Sequence, residues 1–296
     1  ADAAAAFYEQ AVGMMLPEAD RVGRLDERWV HDFFDVAARA AEALLRTNPR
    51  RAEALALRCL EAVRWGGTRQ GPARVLLARA RALRQLGQLR DAKEVVLEGL
   101  RLVGERVNLV LRAELLSELG SQQEASGDYV GATESVLAAL RTVPGGQGRE
   151  ARLWRLLNQL GRLHLRVGEL ERAMEFLQNA VLQAQQFSDD QGEATALCNL
   201  AAAVALRGDR VRAETLLQQA LAAARAAADR ILEIRIHYNL GRLYAEDASR
   251  AAEAYEHLTV ARRLAEQMEW AEGLADAITA LERLNSSEGK RNDGSS

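Results

Sequence analysis

Residues 157–180 read LNQLGRLHLRVGELERAMEFLQNA. Leu160-Gly161 is followed by His164, Gly168, Ala173, Leu177 and Ala180. Apolar or small residues return every three or four positions on either side of Gly168, which is the pattern of two helices joined at a glycine turn. Ala173 and Ala180 lie seven residues apart, about two helical turns, so they share a helix face. This small-residue pair recurs along the whole chain. Ala52, Ala92, Ala132, Ala173, Ala213 and Ala254 are separated by 40, 40, 41, 40 and 41 residues. Seven positions after each stands Cys59, Gly99, Ala139, Ala180, Ala220 or Ala261. A fixed period of this length marks a stack of similar helix pairs rather than one globular core.

The neighbouring units repeat the pattern. One carries Leu200-Ala201, Val204, Gly208, Ala213, Leu217 and Ala220; another Leu240-Gly241, Tyr244, Ala254, Leu258 and Ala261. A third carries Leu119-Gly120, Gln123, Gly127-Asp128, Ala132, Val136, Ala139 and Pro144. Small residues let two antiparallel helices approach, Gly at the turn supplies φ > 0, and large residues fill the space to the next pair. Together these motifs resemble the tetratricopeptide repeat, from about residue 28 to 268. The usual unit has about 34 residues; here it has 40 or 41. Longer units of this kind resemble those of kinesin light chains, cell-polarity scaffolds and sensor regions of large bacterial regulators. The resemblance implies an all-α, right-handed superhelical solenoid of antiparallel helix pairs that binds proteins.

The period places the first helices of six pairs at 28–46, 71–86, 106–126, 149–167, 190–207 and 230–246. It places the second helices at 50–65, 89–103, 129–143, 170–186, 210–227 and 249–267. Residues 1–27 read as a partial unit with a helix at 3–16, in which Ala11 falls one residue short of the position the period assigns to alanine. Residues 269–284 read as a capping helix with Trp270, Leu274, Ile278 and Leu281 on one face, and 285–296 as a disordered tail. Pro17, Pro49, Pro72 and Pro144 fall at expected helix ends. The repeat implies one continuous body without a domain seam.

Composition narrows the class. Hydrophobic residues make up 48% of the 296 positions but aromatics only 5%, so the apolar content is mostly helix-favouring Ala and Leu. The net charge of −3 and pI near 6.0 lack the basic footprint of nucleic-acid binding. No run of about 20 apolar residues spans a membrane. Two cysteines, Cys59 and Cys198, give no disulfide framework, and a reducing cytoplasm is the expected location. The first residue is Ala rather than Met, which suggests a processed or excised region of something larger.

Catalytic and metal signatures do not emerge. His31, His164, His237 and His257 form no HExxH pair, and none has a Cys or His at ligand spacing. His164 occupies the aromatic slot of its repeat and reads as a packed structural residue; Cys198 reads as a small residue at the core edge. No GxxxxGK[ST] loop is present, and Gly145-Gly146-Gln147-Gly148 follows no strand, so it reads as a turn joining two units. The expectation is a non-enzymatic chain without metal or cofactor.

In the family resembled, first helices line the concave face, and peptides or helices bind there. Asn199 and Asn239 stand before Leu200 and Leu240, and Gln159 before Leu160. In the long-repeat families an Asn in this slot points into the groove, where its amide can both donate to and accept from a peptide backbone. Alternatively the amides pack at the groove floor. Glu118 and Ala78 fill the slot in the earlier units. Three first helices carry arginines seven apart: Arg74 with Arg81, Arg155 with Arg162, and Arg235 with Arg242. Each pair forms a stripe able to fork onto carboxylate or phosphate. Glu114, Glu118 and Glu124 interrupt that basic strip.

These readings lead to a protein–protein interaction module that binds a peptide or protein segment, with an acidic one favoured by the arginines. The implied setting is the sensor or interaction region of a larger bacterial signalling protein. The competing reading is a free-standing adaptor or chaperone-like scaffold for complex assembly.

Overall fold

Helix follows helix along this chain because alanine and leucine dominate it and glycine or aspartate stands at the breaks. The computed structural model describes residues 2–19, 27–45, 47–62, 70–105, 108–143 and 150–293. Among them are fourteen α-helices, one 3₁₀ turn and no strand. The chain divides into two compact units, Ala1–Gly146 and Gln147–Ser296. The seam falls between Gly146 and Gln147, where the repeat alone implied an unbroken body. Pro144 and the glycines around it lie outside the described residues.

The first unit holds α1 (Asp2–Ala19), α2 (Glu27–Leu44), α3 (Pro49–Ala62), α4 (Gln70–Gln85), α5 (Leu89–Val103), α6 (Leu109–Ala125) and α7 (Tyr129–Thr142). The second holds α8 (Glu150–Arg166), α9 (Leu170–Gln186), α10 (Asp190–Leu206), α11 (Arg210–Ala226), α12 (Arg230–Ala245), a 3₁₀ turn (Ala248–Arg250), α13 (Ala251–Gln267) and α14 (Ala271–Asp293). The six pairs α2/α3 through α12/α13 end within three residues of the sequence expectation. Within each unit the two helices of a pair pack on each other, and successive pairs of that unit pack on one another.

Within a pair the close approach rests on absent side chains. A Cβ on Gly161 would overlap Leu177 and lie 3.2 Å from the Ala173 carbonyl oxygen. A Cβ on Gly241 would lie 2.6 Å from Leu258 Cγ and 3.2 Å from the Ala254 carbonyl oxygen. Ala173, Ala213, Ala254 and their partners Ala180, Ala220 and Ala261 are all fully buried.

Two kinds of turn alternate. Between the helices of a pair, Gly87, Gly127, Gly168 and Gly208 hold φ between +76° and +96°. Between successive pairs of the second unit, non-glycine residues occupy that region: Ser188, Ala228 and Glu269, at φ +53°, +53° and +52°. The residue after each donates its N–H back across the turn, to the carbonyls of Ala184, Ala224 and Ala265 at 3.0 Å. Aspartates then cap the next helices. The Oδ1 of Asp189 accepts from Gly192 N at 2.8 Å, and that of Asp229 accepts from Leu232 N at 3.0 Å.

Three local expectations change. Pro17 lies inside α1 rather than at its end; it sits in the last turns, where its missing N–H removes a single helical bond. In α14 the buried face is Ala277, Leu281 and Leu284, while Ile278 is 38% exposed. The same helix runs to Asp293, through the polar stretch read as a tail. Gly and Ser tolerate helix there at a modest propensity cost.

Enlarging a small contact tests the register. Ala173→Leu or Gly161→Val should lower stability by about 1–3 kcal/mol through overpacking, read by thermal or urea denaturation. The opposite sign is expected at Ala228→Gly. Glycine relieves the left-handed strain there and should raise stability by about 0.5–1 kcal/mol, net of its entropic cost.

Candidate binding surface on the first helices

The first helices of the second unit begin at residues 150, 190 and 230, so positions 40 apart occupy equivalent places on α8, α10 and α12. Two rows result. Arg155, Thr195 and Arg235 form one; Arg162, Ala202 and Arg242 form the other. All four arginines and Ala202 are exposed, and Thr195 is half-buried. After Glu150, Glu193 and Glu233 these three helices contain no further carboxylate. Glu233 is buried at the far end, where Arg230 donates to it at 2.7 Å. Among the described residues, Arg155, Arg235 and Arg242 have no carboxylate partner. Arg155 lies 5.4 Å from the Trp154 ring centroid, and Arg242 lies 5.7 Å from that of Tyr238.

The first unit treats its arginines differently. Arg74 Nη1 donates to Asp35 Oδ1 at 2.8 Å, and Arg81 Nη1 donates to Glu42 Oε1 at 2.6 Å. Asp35 and Glu42 stand seven apart on α2, as Arg74 and Arg81 do on α4, so the two stripes meet as rungs. Glu118, 5% exposed, accepts from Arg84 Nε at 2.7 Å and lies 3.8 Å from Arg81 Nε. Arg74 and Arg81, expected to face a ligand, are therefore engaged within their own unit. The 40-residue period holds the signal, since Asp35 and Glu42 sit 39 residues before them.

The amide slot is also partly spent. Asn199 Nδ2 donates to Asn158 Oδ1 at 2.8 Å, and Asn239 Nδ2 donates to Cys198 Sγ at 3.2 Å. Each bond joins neighbouring first helices at a separation of 41 residues. Each Asn keeps a second N–H and its carbonyl oxygen. Gln159 is buried rather than exposed to a groove. Cys198 is buried, with its thiol pushed up by burial; Cys59 is pushed up to about 12 for the same reason.

A polar cluster that sequence reasoning missed lies between α12 and α13. His237 Nδ1 and His257 Nδ1 are 2.9 Å apart, so one ring donates and the other accepts. Tyr244 stacks edge-on to His257 and donates to Glu214 at 2.9 Å. Arg250 forks onto Glu214 at 2.6 and 3.0 Å and covers the Tyr244 ring at 3.9 Å. Burial, then the neighbouring His257, lowers the His237 pKa to about 4; burial also lowers that of His257. Hydrogen bonds from Arg250 hold Glu214 and Glu253 below the usual carboxylate range. His164, as expected, is packed, with Nδ1 2.6 Å from Glu169 Oε2 and its ring stacked on Phe176. No three His, Cys, Asp or Glu side chains converge as a metal site among the described residues. No helix among them is long and apolar enough to cross a membrane.

Comparison with known proteins gives these helices relatives. Residues 150–226 match the tetratricopeptide repeat family model. The search of curated proteins found no match. Among solved structures, BtubC (BKLC) from P. vanneervenii aligns with a TM-score of 0.63 at 19% identity, over 76% of this chain and 93% of that one. A Rap protein complexed with competence and sporulation factor gives 0.64 at 16%, over 88% and 74%. A STAND protein with a tetratricopeptide repeat sensor, from Pyrococcus horikoshii, gives 0.65 at 15%, over 96% of this chain and 45% of that one. At these identities the likeness is one of fold.

The histidine cluster sets a pH dependence. A folded-state pKa near 4 against an ordinary 6.5 means that the unfolded chain takes up the proton first. His237 thus contributes full stability above pH 6.5, loses about 3 kcal/mol between 6.5 and 4, and loses no more below that. His257 acts with the same sign. Denaturation midpoints should change little from pH 7.5 to about 6.5 and fall from there to pH 5, and His237→Gln should flatten that fall. In the first unit, Arg84→Ala should cost more than Arg74→Ala, because it strips a buried carboxylate of its closest partner. The Arg74 pair is more exposed and worth about 0.2–1 kcal/mol.

Proposed function

We propose, for a chain whose residues 150–226 match the tetratricopeptide repeat family model, that it acts by binding another protein and not by catalysis. The ligand is an acidic peptide or protein segment, and it docks on the first-helix face of residues 147–296. One observation carries this reading. Arg155, Arg235 and Arg242 stand exposed on helices that offer them no carboxylate, while Arg74 and Arg81 in the other unit are neutralised by Asp35 and Glu42. Exposed guanidinium groups without partners favour carboxylates that arrive from outside. The remaining amide groups of Asn199 and Asn239 lie in the same register and can hold a backbone.

The module serves as the interaction or sensor region of a larger signalling protein of the cytoplasm. Two likenesses support this. The STAND protein carries its sensor in tetratricopeptide repeats, and this chain aligns with 45% of its length. The Rap protein was solved with a competence and sporulation factor bound.

A pull-down with the full chain, followed by titration of whatever is captured, tests the proposal. Replacing Arg155, Arg162, Arg235 and Arg242 together with Ala should weaken binding about ten-fold or more, at about 1.4 kcal/mol per ten-fold. Replacing Arg74 and Arg81 should leave affinity within about two-fold, since those side chains are already paired. Affinity should fall as salt rises. A partner bound equally by the four-Arg variant, without salt dependence, would place the contact elsewhere.

A further inference from the structure

We infer that this face selects its ligand by an acidic–bulky–acidic order along an extended segment, and that Ala202 and Thr195 are the residues that set it. The inference rests on the reading above that the first-helix face of residues 147–296 is the binding surface. In both rows the outer helices α8 and α12 present arginine, and the middle helix α10 presents a small side chain. Ala202 is exposed and Thr195 half-buried, while Cys198 between them is buried, so α10 forms a low floor between two basic walls.

Spacing follows from helix packing. Helices in contact lie about 8–10 Å apart, so the walls on α8 and α12 stand about 16–20 Å apart across α10. An extended chain advances about 3.3–3.4 Å per residue, so that distance takes about five to six residues, of which only a step of six returns to the same face. Side chains at i and i+6 then point to the same face, toward the two walls, and those at i+2 and i+4 fall over α10. The ends of such a segment meet guanidinium groups, of which those of Arg155, Arg235 and Arg242 have no carboxylate partner among the described residues. Its middle meets a floor without charge, where small residues leave room for large apolar side chains. A chain with the order reversed would place carboxylates over a floor that offers no cation and aromatic rings against the arginines.

Three fluorescein-labelled peptides test this by anisotropy titration with the full chain. GEGWGWGEG has acids outside, GWGEGEGWG has the same composition with acids inside, and GQGWGWGQG is neutral. The first should bind about five-fold or more tighter than the second, and the neutral peptide more weakly than the first. Ala202→Arg puts a cation on the exposed floor and should bring the two acidic peptides to within about two-fold of each other. Equal, salt-dependent binding of both acidic peptides to the parent chain would leave the basic surface standing and overturn the order. A preference that persists in Ala202→Arg would also overturn it. If neither acidic peptide binds better than the neutral one, the surface reading and the inference fall together.

Discussion

The fold depends on one steric allowance, the approach of two helix backbones where a side chain is missing. Gly161 against Leu177 and Gly241 against Leu258 show it directly, since an added Cβ would collide with the facing leucine. The buried alanines of the second helices provide the rest. A helix pair this close cannot bury its outer apolar face alone, so each pair needs the next. The register imposed at these contacts is what brings residues 40 apart to equivalent places. Every row on the first-helix face inherits its alignment from the small residues behind it.

Charge is then distributed over that fixed register in two ways. On α2 and α4 acids and arginines repeat in step, and the surface neutralises itself through Asp35–Arg74 and Glu42–Arg81. On α8 and α12 Arg155, Arg235 and Arg242 repeat without a carboxylate partner among the described residues. The chain's net charge of −3 conceals the contrast, because charge is averaged over composition whereas recognition depends on which faces meet. The histidine pair at α12 and α13 is a further outcome of register. Residues 20 positions apart in sequence end 2.9 Å apart, and burial lowers the pKa of both rings.

Much of this was legible from the chain alone. Ala173 and Ala180 gave a helix face, the 40-residue return gave the stack, and Gly168 and Gly208 gave the turns, because all are local rules of backbone sterics. The turns between pairs were less legible. Ser188, Ala228 and Glu269 adopt a glycine-like conformation without being glycine, since the bonds closing back on Ala184, Ala224 and Ala265 outweigh the local strain. The candidate site was half legible. Its arginines stood out by spacing, but spacing could not tell that Arg74 and Arg81 face carboxylates on the adjacent helix, or that Gln159 is buried.

Sequence by itself determined the class of structure, the helix pairs and their register, because helix periodicity, turn conformation and close packing are set within a few residues or by an exact repeat. Tertiary structure decided which polar groups remain available. That outcome depends on rotamers and on neighbours a full repeat away, as when Asn199 turns to Asn158 and Asn239 to Cys198. It also divided the chain at Gly146, where the two units each pack on themselves. A repeat read from sequence fixes where side chains can go; only packing fixes which are already taken.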